Sequence, residues 1–182
     1  MIIEQSKYNF KGSYRGRTPS GIILHAISQY ILWEGVKMRC DEFLNKIGLG
    51  YHKIILSDST VLECQQEDKI AYCNGKSELR GQKQLNTNFL GYTFAVEGEN
   101  NYSEFIDKIN NTDWCNEGQF NTGLEITRKA IKDYQIDTKN IVRHSDVSGD
   151  DIRGKGKGKQ DTGDGFDYVR FMGSLYFISN NI

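Results

Sequence analysis

Two continuous apolar runs, Gly21–Ile27 (GIILHAI) and Phe89–Val96 (FLGYTFAV), constrain this chain most strongly. Both fall far short of the roughly 18–20 residues that a membrane-spanning helix needs. The first is bounded by turn residues and reads as a buried strand, the second as a central strand. The segments around them carry a different period. Trp33, Val36, Cys40, Phe43, Leu44 and Ile47 recur at spacings of three and four, which predicts a helix stopped by Gly48 and Gly50. Lys53–Leu56 and Thr60–Cys64 flank Ser57, Asp58 and Ser59 and predict a β-hairpin.

Residues 73–88 are polar and glycine-containing and predict a long surface loop. Tyr102, Phe105, Ile106 and Ile109 would share one helical face, and Leu124, Ile131 and Tyr134 another. Asn140–Arg143 predicts a short strand. Residues 149–165 are rich in glycine and charge, and Val169, Met172, Leu175 and Tyr176 predict an amphipathic closing helix. Strands alternating with helices imply an α/β fold, a single mixed central β-sheet flanked by helices. Residues 1–19 are polar, close on the only proline, Pro19, and are expected to be irregular. No repeat or linker divides the chain, so residues 1–182 are expected to form one domain, which at this length buries roughly 70% of its unfolded surface.

Composition excludes several classes of function. Hydrophobic residues at 37% rule against global disorder. A net charge of −1 rules against bulk nucleic acid as a partner, and no segment suits membrane insertion. Cys40, Cys64, Cys73 and Cys115 are scattered and form no C-x-x-C pair, so free thiols are expected. The first residues lack a secretion-signal pattern. Synthesis in the cytoplasm is therefore expected, with any role outside it reached on lysis, by a holin-like route or through a secretion machine. A monomer is the default expectation.

Only three histidines occur, and two of them end apolar runs: His25 in GIILH and His144 in NIVRH. Two imidazoles at strand ends with a nearby carboxylate make a three-ligand zinc site with an open fourth position, the pattern of hydrolytic zinc. Asp161 supplies the carboxylate, with Asp146, Asp150 and Asp151 as competing candidates. Lys159, two residues before Asp161, places a cation where an oxyanion could develop. Lys155 and Lys157 read as a solvated loop. Gly149-x4-Gly154-Lys155 approaches a phosphate-binding loop but continues with Gly156 where Ser or Thr is required.

Taken with their context, these motifs resemble the zinc-dependent N-acetylmuramoyl-L-alanine amidase type 2 family, which includes the peptidoglycan-recognition proteins. GIILHAIS is similar to the family's first strand, GYHKIILSDSTVLECQ to its hairpin, and IVRHSDV with KQDTGDGFDYVRF to its closing motif. The resemblance runs from about Gly21 to Phe171. It implies His25, His144 and Asp161 as zinc ligands, Lys159 as the oxyanion-stabilising cation, and Tyr51 in the place of a catalytic tyrosine. His52 would point away from Tyr51 along the strand and is read as structural.

Some positions depart from the family pattern. Thr93 stands where recycling-type members carry a general-base glutamate, and Glu97, further along the same strand face, is the replacement base only if the strand shifts. Cys73 takes the place of a substrate-side histidine, Ala26 that of a polar residue, and Asp161-Thr162-Gly163 that of Asp-Pro-Gly. The implied function is hydrolysis of the amide between N-acetylmuramic acid and L-alanine in peptidoglycan or muropeptides, by a phage-type lysin or a recycling enzyme. The alternative is an amidase-fold module that captures a muropeptide, or another small ligand, without turnover.

Overall fold

The computed structural model describes residues 1–179. In chain order the strands are β1 (Ile3–Gln5), β2 (Gly21–Trp33), β3 (Val36–Arg39), β4 (Lys53–Ile55), β5 (Val61–Glu63), β6 (Glu78–Leu79), β7 (Gln82–Lys83), β8 (Phe89–Glu99) and β9 (Ile141–Arg143). The helices are α1 (Cys40–Lys46), α2 (Tyr102–Asn111), α3 (Glu117–Tyr134), α4 (His144–Val147), α5 (Asp150–Arg153) and α6 (Tyr168–Ser179). A seven-stranded sheet runs β1-β5-β4-β8-β2-β3, with β9 beside the first half of β2. It is mixed: β8 is parallel to β2 and β4, β9 is parallel to β2, and the β2–β3 and β4–β5 pairs are antiparallel. This is the expected α/β architecture.

The two apolar runs lie side by side at its centre, in register from Gly21↔Phe89 to Ser28↔Val96. Alternation along each strand separates two faces. Ile22 and Leu24 of β2, with Leu90, Tyr92 and Phe94 of β8, meet Phe120, Leu124, Phe171 and Leu175 of α3 and α6. A Cβ on Gly123 would stand 2.4 Å from the Phe94 ring, so α3 approaches the sheet at its glycine. The intervening residues, His25, Gly91, Thr93 and Ala95, look to the opposite face, where Ala95 packs with Leu44 and Tyr51. Asn101 and Glu104 form a capping box that starts α2, and Asn116 caps α3.

Four local expectations need correction. Trp33 and Val36 are not helical: they close the β2–β3 hairpin as a paired couple. Glu34 and Gly35 both take positive φ, the two-residue hairpin turn, and the helix starts only at Cys40. Residues 1–19 are not wholly irregular, because Ile3–Gln5 pairs with β5 at the sheet edge. In α6 the buried face carries Phe171 and Leu175, whereas Val169 is 83% exposed. Within 73–88 the β6–β7 hairpin and the buried Asn74, Ser77 and Leu85 tie the segment down. Among the described residues no helix is long and apolar enough to cross a membrane, and all four cysteines are free.

Candidate metal centre

Register brings the two histidines together. Arg143, the last residue of β9, pairs with Leu24 of β2, so the next residue on each strand is His144 and His25. Their ring centroids are 4.3 Å apart. His25 lies inside β2 rather than at its end, since that strand continues to Trp33. His144 opens α4 directly after β9. Asp161 joins them from the loop before α6, where its carbonyl accepts the Ser145 N–H at 2.8 Å. That loop is held against α2: a Cβ on Gly163 would stand 2.2 Å from the Ile109 carbonyl, and Gly165 donates its N–H to the same oxygen.

The three residues are buried, and their candidate ligand atoms lie within 4.8 Å of one another. His25 Nδ1 stands 3.1 Å from Asp161 Oδ2, and His144 Nδ1 stands 3.1 and 3.0 Å from Oδ1 and Oδ2. The Nε2 atoms look the other way, both toward Asn74. His25 Nε2 is 2.9 Å from its Oδ1, and His144 Nε2 is 3.1 Å from its backbone O. Burial, and then the neighbouring His144, push His25 down to about 4. Burial alone would raise the Asp161 carboxyl, but His144 and His25 outweigh it and hold it well below the usual carboxylate range.

This arrangement tests whether a metal ion fits. All four ring nitrogens face oxygen acceptors. Only two cationic rings could place a proton in every contact, and burial disfavours the cationic form of His25. At least one contact therefore lacks a proton, and a cation between the Nδ1 atoms and the carboxylate makes up that deficit. Two imidazole nitrogens and one carboxylate oxygen form a donor set suited to zinc. The outward Nε2 contacts are of the kind that orient ligating histidines.

The competing acids are committed elsewhere. Asp146 accepts the Arg143 N–H and pairs with its guanidinium, while Asp150 accepts the Gly156 and Gly158 N–H groups. Asp151 is exposed. Tyr51 comes close: its ring is buried 4.8 Å from that of His25, and burial raises its hydroxyl pKa well above normal. Gly91 leaves it room, since a Cβ there would sit 2.4 Å from Cys73 Sγ and 3.4 Å from Tyr51. His52 instead accepts the Gly91 N–H and lies 2.8 Å from Arg15 Nη2, away from the cluster.

Lys159 is exposed, its N–H bound to the Ser148 carbonyl two residues before Asp161. Glu97 is not brought to the cluster. Thr93 is the β8 residue paired with His25, and four further strand residues carry Glu97 roughly 13 Å along, where it is exposed. Asn74, which touches both histidines, was missed in the sequence. A lone asparagine in a polar loop carries no periodicity that would single it out.

Residues 15–164 match a family described as N-acetylmuramoyl-L-alanine amidase. No curated protein matches the chain. Among solved structures it is similar to a selenomethionine derivative of AmpD, at 19% identity and a TM-score of 0.67, covering 96% of this chain and 93% of that one. It is also similar to the N-acetylmuramoyl-L-alanine amidase LysC from Clostridium intestinale URNW, at 17% identity and a TM-score of 0.68, covering 97% and 98%. The Staphylococcus aureus hydrolase AmiA follows at 13% identity and 0.59, covering 99% and 84%. At these identities the structures support the fold alone.

Proposed function

The chain belongs to the N-acetylmuramoyl-L-alanine amidase family, and we propose accordingly that it is a zinc-dependent amidase acting on the bond between N-acetylmuramic acid and L-alanine. The whole chain serves as one amidase domain, and its substrate is peptidoglycan or a muropeptide. The observation that carries this reading is the convergence of His25, His144 and Asp161 in one buried cluster. These three residues hold the ion. When bound, zinc supplies a Lewis acid and lowers the pKa of a coordinated water to roughly 7.

The chain's own residues do the rest. Tyr51, its hydroxyl kept protonated by burial, donates a hydrogen bond to the oxygen of the attacked amide. Lys159, exposed and two residues before Asp161 in the chain, supplies a cation for the same developing negative charge. Thr93, buried opposite His25, offers no carboxylate. The proton that the leaving L-alanine amine needs must therefore come from another group or from solvent.

Zinc content and mass spectrometry of digested peptidoglycan and muropeptides test the proposal together. The wild type is expected to hold one zinc ion and to release peptides with a free L-alanine amine, and His144→Ala to lose both. A protein that holds stoichiometric zinc, binds muropeptides and cleaves none of them would be a capture module instead.

A further inference from the structure

On the side away from Asp161, Asn74 touches both histidines, and it does so through its two different oxygens. Its side-chain Oδ1 lies 2.9 Å from His25 Nε2 and its backbone O lies 3.1 Å from His144 Nε2. An oxygen can only accept, so each contact places a proton on Nε2 and leaves Nδ1 with a free lone pair. Both lone pairs then point to the same place, beside the Asp161 carboxylate.

The amide is arranged for this at a cost. Asn74 is fully buried, and its Nδ2 has no hydrogen-bond partner among the described residues. A buried amide ordinarily satisfies its donor. Rotated by half a turn, the same side chain would offer that donor to His25 Nε2 and drive the proton onto Nδ1, where it would occupy the metal position. The orientation seen keeps that position free of a proton and leaves Nδ2 unpaired.

The loop carrying Asn74 is itself held. Asn86 Oδ1 accepts the backbone N–H groups of Cys73 and Asn74 at 3.2 and 2.9 Å, and Ser148 Oγ donates to the Lys76 carbonyl at 2.6 Å. Ser148 lies four residues after His144, so the loop and the helix that opens on His144 are tied to each other.

We infer that Asn74 is a positioning residue that sets both imidazoles in the Nε2–H form and so aims their Nδ1 atoms at the metal. The inference rests on the zinc reading of the cluster, but its two halves separate cleanly. The side chain governs His25, and the main chain, which substitution does not remove, governs His144.

With only three histidines in the chain, ring ¹H–¹⁵N spectra of labelled protein can report each one. In the metal-free wild type, His25 and His144 are expected as Nε2–H tautomers. In Asn74→Ala, the His25 proton is expected to move to Nδ1, toward Asp161, while His144 stays Nε2–H and reports that the loop is still in place. Zinc affinity, measured by chelator competition, is expected to fall roughly 10- to 100-fold in this variant. Asn74→Asp keeps the oxygen and is expected to keep the His25 tautomer and an affinity within about threefold of the wild type.

A His25 that carries its proton on Nδ1 in the wild type would overturn the inference. So would Asn74→Ala with an unchanged His25 tautomer and unchanged affinity, or loss of the His144 signal in both variants, which would make Asn74 a folding residue. A wild type that shows both Nε2–H tautomers yet binds no zinc would sink the zinc reading and leave Asn74's hold on the imidazoles standing.

Discussion

His52 Nδ1 accepts the backbone N–H of Gly91 at 2.9 Å, while the residue before it, Tyr51, turns to His25. One step along the chain thus separates a side chain that fastens the sheet from one that faces the His25–His144–Asp161 cluster. Burial, and then the Arg15 guanidinium beside it, push His52 down to about 3. An unfolded histidine titrates near 6.5. Between those values the unfolded state binds the extra proton, so stability is complete above about pH 6.5 and declines as pH falls toward 3. The slope contributed by one such group is at most about 1.4 kcal/mol per pH unit. His52→Asn offers an oxygen to Gly91 and does not titrate. Urea unfolding of metal-free protein from pH 7 to 4 should show a shallower decline in this variant than in the wild type. Equal slopes would mean that His52 is as easily protonated folded as unfolded.

Metal binding should be visible in stability as well as in chemistry. An ion that binds only the folded state at 100 times its dissociation constant stabilises by about 2.7 kcal/mol. For a domain of this size that is a rise in Tm of roughly 5–11 °C. Thermal unfolding by circular dichroism, with chelator and then with excess zinc, should show this rise in the wild type and none in Asp161→Ala. A rise of the same size in the variant would place the binding site elsewhere.

The central strands, the mixed sheet and the convergence of His25, His144 and Asp161 were legible because each is written in a short pattern. Continuous apolar runs mark strands buried on both faces, and a histidine ending such a run stands out in a chain with only three. The hairpin turn at Glu34-Gly35 was not legible, because Trp33 and Val36 are three apart and fit a helical face as well as a strand pair. Val169 was misplaced for a related reason: periodicity identifies a helix without fixing how far round it the buried stripe extends, and here Phe171, Leu175 and the half-buried Met172 meet the core while Val169 does not. Asn74 was illegible because its role depends on two long-range contacts, at separations of 49 and 70 residues.

Two helical glycines should respond in opposite directions to the same substitution. Alanine is favoured over glycine in a helix by up to about 1 kcal/mol. At Gly173 in α6 a Cβ meets nothing within 4 Å among the described residues, so Gly173→Ala should stabilise by up to about that amount. At Gly123 in α3 the Cβ would stand 2.4 Å from two atoms of the Phe94 ring, which is itself fully buried. Overpacking of that kind costs about 1–3 kcal/mol and outweighs the propensity gain. Gly123→Ala should therefore unfold at lower denaturant, and a stabilised Gly123→Ala would show that α3 can move off the sheet without penalty.

An exposed lysine can serve a buried site when its main chain is held in place. The glycine-rich stretch before Asp161 is clamped: the Asp150 carboxylate accepts the N–H groups of Gly156 and Gly158, at 2.9 and 2.7 Å. A Cβ on Gly158 would stand 2.4 Å from the Asp150 backbone nitrogen, so only glycine permits this approach. The clamp fixes where Lys159 leaves the surface, and Lys159 is further tied through its own N–H to Ser148. If Lys159 stabilises the developing oxyanion, Lys159→Ala should lower kcat by about 10²–10³. Asp150→Ala should cost up to about 10² by misplacing the same cation. Zinc content should be unchanged in both, because neither residue belongs to the cluster. Lys155→Ala and Lys157→Ala should leave turnover within a few-fold of the wild type. Steady-state kinetics on a soluble muropeptide, with zinc measured on the same samples, separates these effects. Equal losses at Lys155, Lys157 and Lys159 would turn the assignment from one positioned cation to the general charge of the loop.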